Sequence, residues 1–238
     1  MNIALIGYGK MGKTIESIAV SRGHTILLTV DYDNLSDLSA PKFEKVDVAI
    51  EFTRPESAVD NLMKCFDIGV PVVCGTTGWE REEKQVIEKC RRVSGGLFYS
   101  SNFSVGVNIF FAVNRFLASL MNSMPQYDVE MEEIHHTQKL DAPSGTALTL
   151  AKDVLKNIDR KTGWVNESSS DASELAIISK RIGATPGTHK VEYISLIDAI
   201  EIKHTAHSRE GFALGAVLAA EWMVGKEGVF GMKDLLGF

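Results

Sequence analysis

Six residues near the start of the chain restrict its folding more than any others. Gly7-Tyr8-Gly9-Lys10-Met11-Gly12 follows an apolar run at 2–6 and opens a segment in which Met11, Ile15, Ile18 and Ala19 recur at helical spacing. Strand, glycine turn and helix in that order begin a parallel β–α–β unit. A second apolar run, 25–30, leads into Asp31, 19 residues beyond Gly12. In such a unit the first glycine permits the tight turn. The second lets the backbone approach a pyrophosphate, and the third lets the helix lie on the sheet. Unpaired N–H groups and the helix dipole then face the phosphates, and a carboxylate at the tip of the second strand accepts hydrogen bonds from the adenosine ribose. A glycine triplet alone also closes ordinary turns; the strand before it, the helix after it and Asp31 make nucleotide binding the stronger reading. The expected cofactor contacts here are Gly7, Tyr8, Gly9, Lys10, Met11, Gly12 and Asp31. A carboxylate at Asp31 repels a 2′-phosphate, and the next residues are Tyr32 and Asp33, not Arg. NADH is therefore expected in preference to NADPH.

The rest of the first hundred residues continues the theme. Apolar runs at 46–52, 70–74 and 97–100 are separated by segments of helical period, such as Ala58, Leu62, Met63 and Phe66. This alternation implies a parallel sheet covered on both faces. After Asn102 the pattern changes. Residues 105–121 read as one long apolar helix ending near Pro125, and 127–131 alternate apolar and polar as a strand with one wet face does. A polar loop follows, then a helix over 144–158 with Ala147, Ala151, Val154, Leu155 and Ile158 on one stripe. The serine-rich stretch 163–171 reads as a loop or a disordered excursion. Extended runs at 175–182, 189–197 and 199–206 lack helices between them, which suggests a mixed or antiparallel sheet. A last helix at 211–224, rich in small residues, is expected to pack back on the first domain. The fold class is α/β: a Rossmann-type parallel-sheet domain over 1–103 and 208–238, and an α+β mixed-sheet domain over 104–207 for substrate binding and oligomerisation.

Hydrophobic residues make up 45% of the 238 and charged ones 24%, the balance of a chain that buries a core. A net charge of −6 argues against a non-specific nucleic-acid binder, which needs a basic face. It leaves room for a small anionic ligand held by a few local donors. The three cysteines, Cys65, Cys74 and Cys90, have neither a metal-binding nor a disulfide pattern and read as reduced, buried thiols. The longest apolar stretch, 212–220, is too short to cross a bilayer, and the first residues enter structure without a charged leader. A cytoplasmic protein with no membrane partner is expected.

The stretch from Glu133 to Ala147, EIHHTQKLDAPSGTA, carries the most chemistry. His135 and His136 can donate hydrogen bonds or protons near neutral pH. Lys139 is a mobile cation with three donors. Ser144-Gly145-Thr146 begins a helix behind a proline, so its unpaired N–H groups form a cradle for a carboxylate. Taken singly, each has an ordinary explanation: a serine before a helix is usually an N-cap, and surface histidines and lysines are usually inert. Two adjacent histidines do not reproduce a metalloprotease spacing, so no metal is expected.

Together these residues, from His135 to Thr146, are similar to the motif of the 4-hydroxy-tetrahydrodipicolinate (dihydrodipicolinate) reductases. Other segments carry the same resemblance in the same order along nearly the whole chain. They are the glycine loop, Phe52-Thr53-Arg54-Pro55, Gly75-Thr76-Thr77-Gly78, the stretch Ser101 to Asn108 (SNFSVGVN), and Gly211 to Ala216. The resemblance implies hydride transfer from a reduced nicotinamide to a six-membered cyclic imine bearing two carboxylates, in lysine and diaminopimelate biosynthesis. It adds Gly75, Thr76, Thr77, Ser101, Asn102 and Phe103 to the cofactor contacts. It makes His135 and Lys139 catalytic, and has His136, Lys139, Ser144, Gly145 and Thr146 hold the substrate carboxylates. Either His135 or Lys139 could deliver the proton. The resemblance also implies a homotetramer built through strands of the middle domain, and makes Arg209 a hinge or cofactor neighbour. Closure about hinges near 102–105 and 207–209 is expected on ligand binding. The chain departs from the family in having Lys10 where many members have Arg and no Arg after Asp31, and it is short around 34–44. Two rival readings are another two-domain dehydrogenase of aspartate or homoserine type, and a non-enzymatic NADH-sensing module.

Overall fold

The computed structural model describes every residue except Arg209, so the expectation for Arg209 lies outside the described residues. Strands and helices alternate through the first hundred residues: β1 (Asn2–Ile6), α1 (Lys10–Ser21), β2 (Thr25–Val30), α2 (Ala40–Phe43), β3 (Val48–Glu51), α3 (Pro55–Ile68), β4 (Val72–Cys74), α4 (Glu83–Arg92) and β5 (Gly96–Tyr99). Next come α5 (Val105–Met121), β6 (Asp128–His135), α6 (Gly145–Asn157), β7 (Gly163–Val165), β8 (Glu174–Arg181), β9 (Gly187–Ile194) and β10 (Ala199–Ala206). The chain ends with α7 (Glu210–Met223), β11 (Gly228–Phe230) and α8 (Met232–Leu236). Two compact units result: Met1–Val105 with Glu210–Phe238, and Gly106–Arg209.

In the first unit six parallel strands lie in the order β11-β5-β4-β3-β1-β2. Successive side chains of a strand point to opposite faces, and here both faces are dry. Ala4, Ile6, Ala49, Val72 and Leu97 pack with Leu62, Cys65 and Phe66 of α3 and Val86 and Cys90 of α4. Ile3, Leu5, Val48, Ile50, Val73 and Phe98 pack with Ile15 and Ala19 of α1 and Ala213, Ala216 and Ala220 of α7. That is why these strands read as unbroken apolar runs. The small residues of α7 permit close approach; a Cβ at Gly215 would lie 1.7 Å from the Phe103 carbonyl oxygen. Strand order reverses between β1 and β3, and the glycine loop lies at the carboxyl end of β1, beside that switch point. The edge strand β11, three residues long, carries no sequence pattern strong enough to announce it.

In the second unit β10, β9 and β6 are antiparallel neighbours while β6, β8 and β7 are parallel, a mixed sheet in the order β10-β9-β6-β8-β7. Phe110, Ala118 and Met121 of α5 and Leu150, Ala151 and Val154 of α6 cover Val129, Met131, Leu175, Ile177, Val191 and Tyr193 on one face. Two expectations need correction. Residues 163–171 are not wholly a loop, because Gly163–Val165 pairs with β8; the serine segment after it is ordered by its own polar groups, Ser169 Oγ to Glu174 and the Ser173 amide to Asp171. The strand expected over 127–131 runs on to His135, and its buried face continues through Val129, Met131, Glu133 and His135. The last two side chains are polar, so the apolar alternation stops before the strand does.

Candidate active site

At the carboxyl end of the first sheet the backbone is shaped around its glycines. Gly7 has φ +93°, and a Cβ there would lie 2.1 Å from the Phe52 carbonyl oxygen at the end of β3. A Cβ at Gly12 would lie 2.3 Å from the Gly7 carbonyl oxygen, so the first turn of α1 sits directly on the loop. A Cβ at Gly9, by contrast, would meet no protein atom within 4 Å. Gly9 thus leaves its side of the loop open, as the close approach of a pyrophosphate would require. Asp31 ties the tip of β2 to this loop, accepting from the amides of Tyr8 (3.2 Å) and Tyr32 (2.8 Å). Lys10 is exposed and Met11 half-buried.

The neighbouring strand ends complete this edge. A Cβ on Gly75 would lie 2.1 Å from the tip of the Phe52 ring, so a side chain there would have to displace that ring. Thr76 is buried; its hydroxyl accepts from the Thr53 amide at 2.7 Å and its carbonyl from the Trp79 indole at 2.7 Å. Thr77 and Ser101 are exposed. Asn102 closes a turn through its side-chain oxygen and the Ser104 amide (2.9 Å), and buried Phe103 lies 5.6 Å from the Phe52 ring. All the predicted cofactor residues thus follow the carboxyl ends of β1, β2, β4 and β5, the edge where open α/β sheets bind ligands.

In the second unit the loop from β6 to α6 carries the remaining predicted residues. His135 is buried at the end of β6 and His136 is half-buried after it. Lys139 Nζ is held by both oxygens of the exposed Asp141, at 2.8 and 2.9 Å. Ser144 caps α6: its Oγ accepts from the Ala147 amide at 3.2 Å and lies 3.1 Å from His189 Nε2. With its amide also given to Glu133, Ser144 is used up by the scaffold and is 3% exposed. The amides of Gly145 and Thr146 have no protein acceptor among the described residues, and both residues reach the surface. They are the donors of the helix start that the protein itself leaves unpaired.

Beneath this loop lies a charged cluster. Glu133, fully buried, accepts from the Ser144 amide (3.1 Å), the Ser179 hydroxyl (2.8 Å) and Arg181 Nη2 (3.3 Å). Its Oε2 lies 3.4 Å from His135 Nδ1 and 3.6 Å from His189 Nε2. Burial pushes the Glu133 carboxyl up, but the hydrogen bonds from His189, Ser144 and Ser179 outweigh it and hold the group well below the usual carboxylate range. Burial pushes the His135 imidazole down to about 4, against the pull of Glu133 and with electrostatic help from the neighbouring His189, Lys139 and Arg181. His135 is thus neutral at pH 7. The ligand atoms of Glu133, His135 and His189 lie within 4.8 Å of one another, near enough for one small cation. The carboxylate already has an amide, a hydroxyl and a guanidinium, however, and Arg181 and Lys139 add positive charge, so the cluster is a hydrogen-bonded scaffold.

A family model described as "Dihydrodipicolinate reductase, N-terminus" matches residues 1–103, and one described as "Dihydrodipicolinate reductase, C-terminus" matches residues 106–236. The chain belongs to the dihydrodipicolinate reductase family. Relatives agree along the full length. A 4-hydroxy-tetrahydrodipicolinate reductase of Christiangramia forsetii is 49% identical over 236 residues, covering 99% of this chain and 98% of that one. One from Clostridium tetani is 35% identical over 251 residues, covering 99% and 97%. Among solved structures, dipicolinate-bound dihydrodipicolinate reductase from Paenisporosarcina sp. TG-14 aligns with TM-score 0.79 at 22% identity, over 98% of each chain. An amine dehydrogenase from Mycobacterium smegmatis aligns with TM-score 0.60 at 10% identity, over 96% of this chain and 94% of that one, and shares only the fold.

Membership of the dihydrodipicolinate reductase family displaces the aspartate- or homoserine-type dehydrogenase and sensor readings. No helix among the described residues is long and apolar enough to cross a membrane. Three residues of the scaffold escaped the sequence reading: Glu133, Arg181 and His189. One signal was available. Glu133 has the same strand parity as Val129 and Met131, so an acidic side chain was due on the dry face. His189 and Arg181 lie about fifty residues away and meet β6 only through register, His189 opposite Glu133 and Arg181 beside His135.

Proposed function

We propose that this chain is a pyridine-nucleotide-dependent reductase of 4-hydroxy-tetrahydrodipicolinate, serving lysine and diaminopimelate biosynthesis. The observation that carries the reading is a pair of open helix-start amides, Gly145 and Thr146, directly after the loop that carries Lys139. Two N–H groups and an ammonium are what a carboxylate needs, and His136 is available for the second carboxylate. The glycine loop with Gly75, Thr76, Thr77, Ser101, Asn102 and Phe103 would hold the dinucleotide, with Asp31 on the ribose. When bound, the reduced nicotinamide supplies the hydride.

Lys139 and the helix start orient the ring and offset its negative charge, contributing proximity and electrostatic stabilisation. Of the two candidate proton donors the reading favours Lys139. His135 is buried and neutral at pH 7, so it has no imidazolium proton to give. Leu196 and Ile197, exposed between β9 and β10, suit the homotetramer included in the proposal. The test follows absorbance of the reduced cofactor. NADH should be consumed with the condensation product of pyruvate and aspartate semialdehyde, and not with oxaloacetate plus ammonia. The efficiency with NADH should exceed that with NADPH. Silence with the cyclic product sinks the reading, and a markedly better NADPH reaction sinks the cofactor preference.

A further inference from the structure

Arg181, the last residue of β8, sits in register beside His135 and reaches both the end of β6 and the loop that follows it. Its Nη2 donates to Glu133 Oε1 (3.3 Å) and to the Asp141 carbonyl (2.5 Å). Its Nε donates to the Lys139 carbonyl (3.3 Å), and its Nη1 to its neighbour Lys180's carbonyl (2.9 Å). Two of these acceptors belong to the loop that carries Lys139. The third polar anchor, Glu133, reaches in the other direction and takes the amide of Ser144, at the start of α6. One guanidinium and one carboxylate therefore join the lysine loop, the helix start and the strand that carries His135.

The choice of residue is informative. A lysine at 181 would supply the charge that a buried Glu133 needs, but its compact ammonium cannot reproduce a planar fork aimed at separate carbonyls. The loop is otherwise lightly held: the Thr137 amide reaches the Gly183 carbonyl and the Lys139 amide turns back to the His136 carbonyl, each at 3.1 Å. We propose that Arg181, braced by Glu133, is a positioning residue that fixes the Lys139 loop against the start of α6 for turnover. The proposal rests on the reductase reading given above.

The test compares the parent enzyme with Arg181→Lys, Arg181→Ala and Glu133→Gln. Steady-state rates on the cyclic dicarboxylate, NADH affinity by fluorescence and melting temperature are measured for each. Misplacing a catalytic group by about 1 Å costs on the order of 100-fold in rate. Arg181→Lys should therefore keep its NADH affinity and melt close to the parent, while kcat falls roughly 10- to 100-fold and KM for the dicarboxylate rises. Guanidinium ion added to Arg181→Ala should restore part of the lost turnover, and ammonium ion should not. Glu133→Gln should lower kcat in the same direction. Parent-like kcat and KM in Arg181→Lys overturn the proposal. So does an Arg181→Lys chain that loses its fold along with its activity, since Arg181 would then be merely structural, and so does rescue by ammonium as good as by guanidinium. A parent enzyme inert on the cyclic dicarboxylate would instead overturn the reductase reading.

Discussion

The glycine-loop edge of the first unit and the β6–α6 junction of the second both offer backbone amides to an anion, but they aim them by different means. At the first edge the shape comes from missing side chains. Gly7 and Gly75 avoid clashes of 2.1 Å with Phe52, and Gly12 one of 2.3 Å with Gly7, so the path of the backbone is set by what is left out. At the junction it comes from buried charge. Burying an unpaired carboxylate costs several kcal/mol, more than the roughly 1.5–3 kcal/mol gained by burying Val129 or Met131 on the same face. Glu133 is kept there by an amide, a hydroxyl and a guanidinium, and those partners in turn direct the loop and the helix start. A site made of omitted atoms is insensitive to protonation. A site made of matched charges is open to adjustment by pH and by single substitutions.

The largest expected effect separates binding from turnover. Lys139→Ala should lower kcat by about 100- to 1000-fold, the usual loss for one donor to developing charge, with NADH affinity unchanged. His135→Gln should fall short of that loss, and near-parental turnover in both variants would remove the junction from catalysis. The next contrast lies within the glycine loop. Gly7→Ala should destabilise the fold, with about 1–3 kcal/mol from its positive φ alone and more from the clash, as a drop in melting temperature. Gly9→Ala meets no protein atom, so it should melt like the parent yet bind NADH about tenfold more weakly, close to 1.4 kcal/mol. Equal melting temperatures for the two variants would break the distinction between them.

The smallest effect concerns pH. His135 titrates near 4 in the folded protein and near 6.5 when unfolded, so folding favours its neutral form. Its stabilising contribution is complete above about pH 6.5 and is lost as the pH falls towards 4; the depressed Glu133 adds a further loss below its unfolded value of about 4.3. Melting temperatures taken from pH 7.5 down to 4 should decline more gently in His135→Gln than in the parent. Parallel curves would mean that His135 is not held neutral by burial.

The same contrast explains what could be read in advance. Gly7, Gly9, Gly12 and Asp31 announce their role because a β–α–β unit fixes their spacing within one local segment, and the apolar runs of a doubly covered sheet are hard to mistake. The helix over 105–121 was equally plain, since its apolar run is long enough to outweigh the one buried polar residue on its inner face, Asn114. The end of β6 was not, because Glu133 and His135 occupy inward positions where an apolar residue would have continued the pattern. Arg181 and His189 come to Glu133 from two other strands, and no local period encodes strand register between β6, β8 and β9. Lys139, Gly145 and Thr146 were found as a motif; the groups that hold them were not.

The return of α7, β11 and α8 to the first sheet has a consequence for how the protein is made. A ribosome emits β1 to β5 first, yet the helix that covers one face of that sheet, and the strand that closes its edge, leave the exit tunnel only after residue 209. The middle unit has all its strands by then and can fold during synthesis, while in the nascent first unit the face of Ile3, Leu5, Ile50 and Phe98 has α1 but not yet α7 to cover it. A stalled or truncated message would therefore yield a finished middle and a sticky, incomplete beginning.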